Sequence, residues 1–175
     1  MTRGPRDIER RLAELRAAFD ESFAAPPVQA PRDEAAFLLV LAGDRPYALR
    51  LDDLAGLEAH RTIVPMPGDA PGLLGLCAVR GRLVPAFDLA AILGARGRKE
   101  TARWLVLVRD PEPIALAFDA FQGSRRVSAQ DVHPLASAAG PLALTRQAIQ
   151  VDGRAIHVVD MAAVVSRMRQ ATNPR

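Results

Sequence analysis

The residues that could carry out chemistry are spread thinly along this chain. Its three histidines, His60, His133 and His157, lie far apart, and none has a cysteine or glutamate at the spacing of a metal-binding pair. The stretch Gly72-Leu73-Leu74-Gly75 lacks the lysine and the hydroxyl that would complete a phosphate-binding loop. No serine lies in the strand-to-helix motif of a hydrolase. The sequence therefore predicts no catalytic residue, no metal site and no cofactor.

Four aspartates and the single cysteine are better explained by structure than by reactivity. Asp52, Asp88, Asp119 and Asp160 stand at equivalent points of an internal repeat, each before an expected helical turn, so we interpret them as helix caps. Cys77 lies within a run of apolar residues, which favours a small buried side chain over a reactive thiol. One cysteine also excludes an internal disulfide.

The composition is that of a globular protein with no marked affinity for nucleic acid or lipid. Hydrophobic residues make up 49% of the chain and charged residues 25%, and no stretch approaches the roughly 18 consecutive apolar residues of a membrane helix. The pI is about 9.9, but the formal net charge is only +3, and no basic run is interleaved with aromatic residues that could stack on bases. We expect a cytoplasmic protein that does not insert into a membrane, with nucleic-acid binding as a weak alternative.

An amphipathic helix is predicted near the N-terminus. Over residues 5–23, apolar side chains recur at spacings of four and three, the period of a helix. Three prolines between residues 24 and 31 then predict a semi-rigid linker, so residues 1–31 are expected to form a separate segment. The helix is expected to dock either on the rest of this chain or, as an accessory helix, on a partner. Its apolar face carries Ile8, Leu12, Leu15, Phe19 and Phe23.

The remainder of the chain contains an internal repeat. Residues 37–41 are echoed by residues 104–108, and residues 47–52 by residues 114–119, both at an offset of 67 residues. After a slip of five residues, the segment 79–91 matches 151–163, where Val, Gly, Arg, Asp and two Ala coincide. Turn glycines, aspartates and the order of the strands agree together, which favours two copies of one module.

Each copy of this module predicts about five short strands. Apolar segments broken by turns such as Arg80-Gly81 are typical of β-hairpins, and the stretch from Leu57 to Val64 predicts one further strand. Five strands are enough to close into a small barrel. We therefore predict a mostly β domain over residues 35–169, with a first barrel at about 37–94 and a second at about 103–160. A C-terminal helix is predicted at 161–169, with Val164, Val165 and Met168 on its apolar side.

The segment from Gly75 to Leu89 resembles the central motif of CheW-type chemotaxis coupling proteins. In that motif, a glycine and an apolar strand lead to Asn-Leu-Arg-Gly, and a second apolar strand ends in Pro-x-x-Asp-Leu. Here Val79-Arg80-Gly81 and Pro85-Ala86-Phe87-Asp88-Leu89 stand at those places. The loop Pro65-Met66-Pro67 also looks like the family, and the likeness extends from about Phe37 to Val165. The resemblance implies two five-stranded SH3-like β-barrels around a shared core and no enzymatic activity.

The resemblance also implies two protein partners. The groove between the barrels would contact the helical hairpin tip of a methyl-accepting chemoreceptor, and exposed apolar barrel ends would contact the regulatory domain of a CheA-type histidine kinase. Self-association or ring assembly with other CheW-like domains is a further expectation. The implied receptor-binding residues are Arg80, Val79, Gly81, Leu76 and Pro85, and the implied kinase-facing or partner-facing residues are Leu54, Leu57 and Val64. A plain hairpin-turn arginine remains the alternative for Arg80, and a core position the alternative for Leu54.

Two residues depart from the family pattern. Ala78 replaces the motif asparagine, and Gly56 stands where family members often carry an acid, so the affinity or the choice of partner is expected to differ. The leading hypothesis is a non-catalytic adaptor of a bacterial two-component chemosensory system, which couples chemoreceptors to the kinase. The alternative is a CheW-like module that binds the receptor only and modulates or insulates a dedicated pathway.

Overall fold

A computed structural model describes residues 33–67, 70–95, 104–135 and 143–172. The N-terminal helix predicted over residues 5–23 lies outside these residues, and so does its apolar face. Within the described ranges the chain is mostly β, as predicted. The strands are β1 Glu34–Ala42, β2 Arg45–Arg50, β3 Leu54–Ala59, β4 Ile63–Val64, β5 Leu73–Val79, β6 Arg82–Asp88, β7 Trp104–Val108, β8 Ala115–Phe118, β9 Ala120–Ser128, β10 Val132–Pro134, β11 Thr145–Val151 and β12 Arg154–Val159. The α-helices are α1 Leu89–Ile92 and α2 Met161–Thr172.

The strands form two six-stranded sheets that are copies of each other. One sheet has the order β3-β7-β8-β6-β5-β4, and the other has the order β9-β1-β2-β12-β11-β10. Each strand of the first repeat has its counterpart six strands later, and exchanging every strand for its counterpart converts one order into the other. Both sheets contain one parallel pair, β6 with β8 and β12 with β2. The internal repeat inferred from the sequence is therefore present in the topology.

Each sheet contains strands from both repeats. We call the sheet of β3 to β8 barrel 1, and the sheet of β1, β2 and β9 to β12 barrel 2. The hairpin β1–β2 of the first repeat pairs with β9 and β12, while the hairpin β7–β8 of the second pairs with β3 and β6. Strand membership thus differs from the contiguous ranges 37–94 and 103–160, because each repeat places its first hairpin in the sheet of the other.

The strand count per sheet is six rather than the five inferred from the sequence. The segment expected as one strand from Leu57 to Val64 is divided into β3 and β4. Between them, His60 has a φ of 53°, in the left-handed region that breaks an extended strand. In the second repeat, the 3-10 turn Ala129–Asp131 separates β9 from β10 at the corresponding place.

Three apolar clusters account for the packing of these sheets. Each barrel has a small interior of its own, and the largest cluster lies between the barrels and includes both α-helices. In α2, Val164, Val165 and Met168 are buried in this shared core, as the helical spacing predicted. The shared core consists of aliphatic and aromatic side chains that neither barrel covers alone, which holds the two sheets and α2 together.

Two of the four aspartates cap helices, and two do not. The Asp88 carboxylate accepts a hydrogen bond from the Ala90 amide at 2.9 Å, and that of Asp160 accepts one from the Ala163 amide at 3.0 Å. These two assignments are confirmed. Asp119 lies between two strands and instead accepts from the Gly43 amide at 2.7 Å. Asp52 lies in the 3-10 turn Leu51–Asp53, which has no side-chain cap, so the cap interpretation is wrong for Asp52 and Asp119.

Candidate protein-binding surface

The outer face of β6 carries a row of apolar side chains that runs from solvent into the shared core. Val84 and Ala86 point into barrel 1, so Leu83, Pro85 and Phe87 point outward. Leu83 is 72% exposed, Pro85 is partly buried, and Phe87 lies in the shared core. A surface that begins with an exposed leucine and ends in the core is a natural place for another apolar surface to dock.

Strands β4 and β5 extend this row sideways. Val64 pairs with Leu76, Leu76 pairs with Pro85, and Ala78 pairs with Leu83, so these residues share one face of the sheet. Val64 is 63% exposed. We refer to Val64, Leu76, Ala78, Leu83 and Pro85 together as the apolar strip.

A groove of about 390 Å³ adjoins the apolar strip. Its floor is formed by β5 and β6, and its walls come from Met66, from the loop between β7 and β8, and from α2. Most of the lining is apolar, which suits the apolar side chains of a protein partner. The lining residues are Met66, Leu73, Arg82, Leu83, Pro85, Phe87, Pro111, Glu112, Pro113, Ile114, Met168 and Arg169.

Arg169 fixes the wall that α2 contributes. Its guanidinium is paired with the Asp110 carboxylate, and its Nε lies 3.8 Å from a carboxylate oxygen of Glu112. Asp110 also accepts a hydrogen bond from the Glu112 amide at 3.0 Å. Arg169 thus ties α2 to the loop between β7 and β8, and the groove has two walls that are linked to each other.

The hairpin turn between β5 and β6 is a two-residue turn with both residues left-handed. Arg80 has a φ of 49° and Gly81 a φ of 76°, the pattern of a type I′ turn. The counterpart turn in barrel 2, Asp152-Gly153, has φ values of 51° and 75°. Because this turn lies at the end of barrel 1, the Arg80 side chain projects there and does not line the groove.

An acidic residue close to Arg80 is supplied by Glu58. The Arg80 Nε lies 4.0 Å from a Glu58 carboxylate oxygen, and the Arg61 guanidinium lies 2.8 Å from the same carboxylate. A Cβ added at Gly56 would lie 3.3 Å from an Arg80 guanidinium nitrogen. The arginine therefore occupies the space beside Gly56, and the acid expected there from the family pattern stands two residues later on the same strand.

The structure brings only some of the sequence-predicted residues to one surface. Leu76 and Pro85 are neighbours in the apolar strip, and Arg80 and Gly81 are exposed at the turn that joins their strands. Val79 is only 3% exposed and faces the interior of barrel 1. Val79 therefore packs in the barrel interior next to the turn and is not available to a partner.

The predicted partner-facing residues divide in the same way. Leu57 is 39% exposed and Val64 is 63% exposed, but Leu54 is only 6% exposed and belongs to the shared core. Sequence reasoning missed Leu83, Met66 and the α2 wall. For Leu83 a signal existed, because it alternates with the inward-facing Val84.

The described ranges contain neither a metal-binding cluster nor a membrane-spanning helix. No group of three or more histidine, cysteine or carboxylate side chains there could hold a metal ion. Among the helices of these ranges, none has the length and apolar character needed to cross a bilayer.

Cys77 is buried, as predicted, and its thiol donates to the Val84 carbonyl at 3.5 Å. Burial raises the pKa of the Cys77 thiol, although Arg61 acts in the opposite direction. Because the thiolate is the reactive form, we expect the native protein to react with an aromatic disulfide reagent at least about 100-fold more slowly than the unfolded chain. The absorbance of the aromatic thiolate that the reagent releases, followed with and without denaturant, measures the two rates. Equal rates in the two conditions would show that the thiol is accessible.

Comparison with known proteins identifies the family. A family model described as the CheW-like domain matches residues 36–169, which is most of the chain. The chain belongs to this family. The match covers every strand from β2 to β12 and most of α2, so both barrels are parts of one CheW-like domain.

Two curated CheW proteins are similar in sequence. The chemotaxis protein CheW of Rhizobium meliloti (strain 1021) is 25% identical over 126 residues, which cover 70% of this chain and 81% of that protein. A probable chemotaxis protein CheW of Rhizobium etli (strain ATCC 51251 / DSM 11541 / JCM 21823 / NBRC 15573 / CFN 42) is 25% identical over 128 residues, which cover 71% of this chain and 83% of that protein.

A solved structure supports the same fold. The scaffolding protein TtCheW from Thermoanaerobacter tengcongensis superposes with a TM-score of 0.63 at 18% sequence identity, covering 73% of this chain and 88% of that one. The two-barrel CheW-like fold predicted from the sequence is therefore confirmed.

Proposed function

We propose that this CheW-like protein is a non-catalytic adaptor that couples a chemoreceptor to a CheA-type histidine kinase in the cytoplasm. The observation that carries the proposal is Leu83, a largely exposed leucine at the mouth of an apolar groove that continues into the shared core. Exposed apolar side chains in such a setting are typical of protein-binding surfaces. Membership in a family of chemotaxis scaffold proteins supports the assignment.

The receptor would bind along the groove and along Leu76, Leu83 and Pro85 of the apolar strip. Strand β6 is hydrogen-bonded to β5 on one side and to β8 on the other, so its backbone is not free to accept an added strand. A partner must therefore use side chains, and an α-helix that lays its apolar face into the groove meets this requirement. The helical hairpin tip that the family resemblance implies has this form.

The kinase would bind elsewhere on barrel 1. Leu57 on β3 and Val64 on β4 are exposed apolar residues on the two edge strands of this sheet. Exposed apolar barrel ends are the kinase-facing surface that the family resemblance implies. Since Leu54 is buried, Leu57 and Val64 are the two of the three implied residues that are exposed for this contact.

The proposal predicts that Leu83→Gln weakens receptor binding without unfolding the protein. Leu83 is exposed, so the substitution removes an apolar contact with the partner and leaves the core intact. Loss of a central contact of this kind costs about 2 kcal/mol, or roughly 30-fold in Kd. Calorimetric titration with the cytoplasmic tip of a chemoreceptor from the same organism measures the change.

Leu51→Gln is the control, because Leu51 is also an exposed leucine but lies in the turn Leu51–Asp53 and does not line the groove. We expect its Kd to equal that of the unmodified protein. A parallel titration with the kinase regulatory domain tests the adaptor role, and Leu57→Gln should weaken this second binding. If the receptor binds but the kinase does not, the protein is a receptor-only module. Unchanged receptor affinity in Leu83→Gln would exclude the groove as the receptor site.

A further inference from the structure

The two arginines that line the groove differ in how their charges are compensated. Arg169 is paired with Asp110 and lies close to Glu112. Arg82 is exposed, and no ion pair within the described ranges includes it. The groove therefore has an apolar floor and one positive charge at its rim that no described carboxylate neutralises.

Arg82 is the sequence neighbour of Leu83, the exposed leucine of the groove. It is the first residue of β6 and directly precedes Leu83, and both residues line the groove. The remaining charged residues of the lining, Glu112 and Arg169, already face each other on the opposite wall. A partner that fills the groove therefore contacts Arg82 as well as Leu83.

We propose that Arg82 selects the partner of this groove. The occupant is an α-helix whose apolar face covers Leu83 and Pro85 and whose flank carries an aspartate or glutamate paired with Arg82. A helix fits because β6 has no free backbone edge, and a carboxylate fits because it would neutralise the charge of Arg82, which no carboxylate of the described ranges pairs. Charge pairs at the rim of an interface chiefly determine which partner binds and how fast. This inference rests on the proposed function, in which the groove docks a helical partner.

The counterpart residue in barrel 2 provides a matched control. Arg154 is the first residue of β12, as Arg82 is of β6, and it is also exposed. It does not line the groove. Arg82→Glu and Arg154→Glu thus change the net charge equally, at equivalent positions of the fold, and only the first changes the groove.

The test is selection from a surface-displayed library of helical hairpins with randomised tip residues. Unmodified protein, Arg82→Glu and Arg154→Glu serve as baits, and clones are kept only if Leu83→Gln abolishes their binding. We expect enrichment of aspartate or glutamate at one helix position with the unmodified protein and with Arg154→Glu. Lysine or arginine should replace it with Arg82→Glu. For a purified clone, changing that carboxylate to its amide should weaken binding about five-fold to the unmodified protein and not at all to Arg82→Gln.

Two outcomes would count against these ideas in different ways. Groove-dependent clones with the same charge preference for all three baits would overturn the role of Arg82 and leave the groove as a docking site. If no clone depends on Leu83, the groove does not dock helices, and the proposed function fails together with the inference.

Discussion

Fragments 1–99 and 100–175 are expected not to fold separately and to regain the native structure when they are mixed. The reason is the exchange of hairpins between the repeats. Each barrel needs a hairpin from the other half, so either fragment alone would leave strand edges unpaired and interiors half filled. The interior of barrel 1, for example, draws four residues from each half: Cys77, Val79, Val84 and Ala86, and Leu105, Leu107, Ala115 and Ala117.

Circular dichroism and urea unfolding of each fragment and of the equimolar mixture measure this effect. Separate fragments should lack a cooperative transition, and the mixture should show one whose midpoint rises with concentration. Trp104, the one tryptophan of the chain, lies in the second fragment and packs against the shared core, so its fluorescence reports reassembly. The uncut chain with a protease site at the same position is the control. Cooperative unfolding of either fragment alone would contradict the exchange.

Gly75→Ala is expected to destabilise the protein by about 3–5 kcal/mol, because β4 blocks the space that a side chain at this position needs. A Cβ at Gly75 would lie 2.0 Å from the Val64 carbonyl oxygen and 2.8 Å from the Pro65 Cα. The residue also has a φ of 139°, which side chains rarely tolerate. Backbone atoms cannot move aside as a flexible side chain can, so β4 must separate from β5.

Gly153→Ala is the matched control for this substitution. Gly153 also has a positive φ, of 75°, but no atom lies within 4 Å of its added Cβ, so only the backbone conformation costs free energy, about 1–2 kcal/mol. Urea denaturation of both variants gives the free energies of unfolding. If both variants lose the same stability, the close approach of β4 is not a constraint. Since Val64 belongs to the apolar strip, Gly75→Ala should also alter the binding surface.

Local patterns were sufficient to predict most of the individual elements. The two-residue turn at Arg80-Gly81, the cap at Asp88 and the apolar side of α2 each depend on residues that are close in sequence. The repeat was visible because the same turn and cap residues recur in the same order. These features determine which segments form strands, but not which strands become neighbours.

The hairpin exchange could not be predicted from such patterns. Both repeats begin with an equivalent hairpin. The pattern of apolar residues in β1 and β2 would be the same if this hairpin paired with strands of its own repeat or with strands of the other repeat. The division between β3 and β4 was missed for a local reason, because a left-handed histidine such as His60 leaves no clear sequence signal.

The candidate surface was only partly predictable. A family motif indicates positions along the chain but not the direction of each side chain, and Leu54 and Val79 were therefore placed on the surface although both are buried. Val79 and Cys77 lie two residues apart on β5 and both face inward, so strict alternation would have indicated this. The α2 wall could not be predicted from the sequence, because Arg169 and Asp110 are 59 residues apart and neither belongs to a local pattern.

The exchange of hairpins suggests how such a protein arises. Two identical modules that trade a β-hairpin about a two-fold axis form a domain-swapped homodimer. If gene duplication joined the two modules in one chain, their association would become intramolecular. Each module would then be held near the other at a high effective concentration. Once fused, the halves are free to diverge, so that counterpart positions such as Leu83 and Ala155 come to carry different side chains.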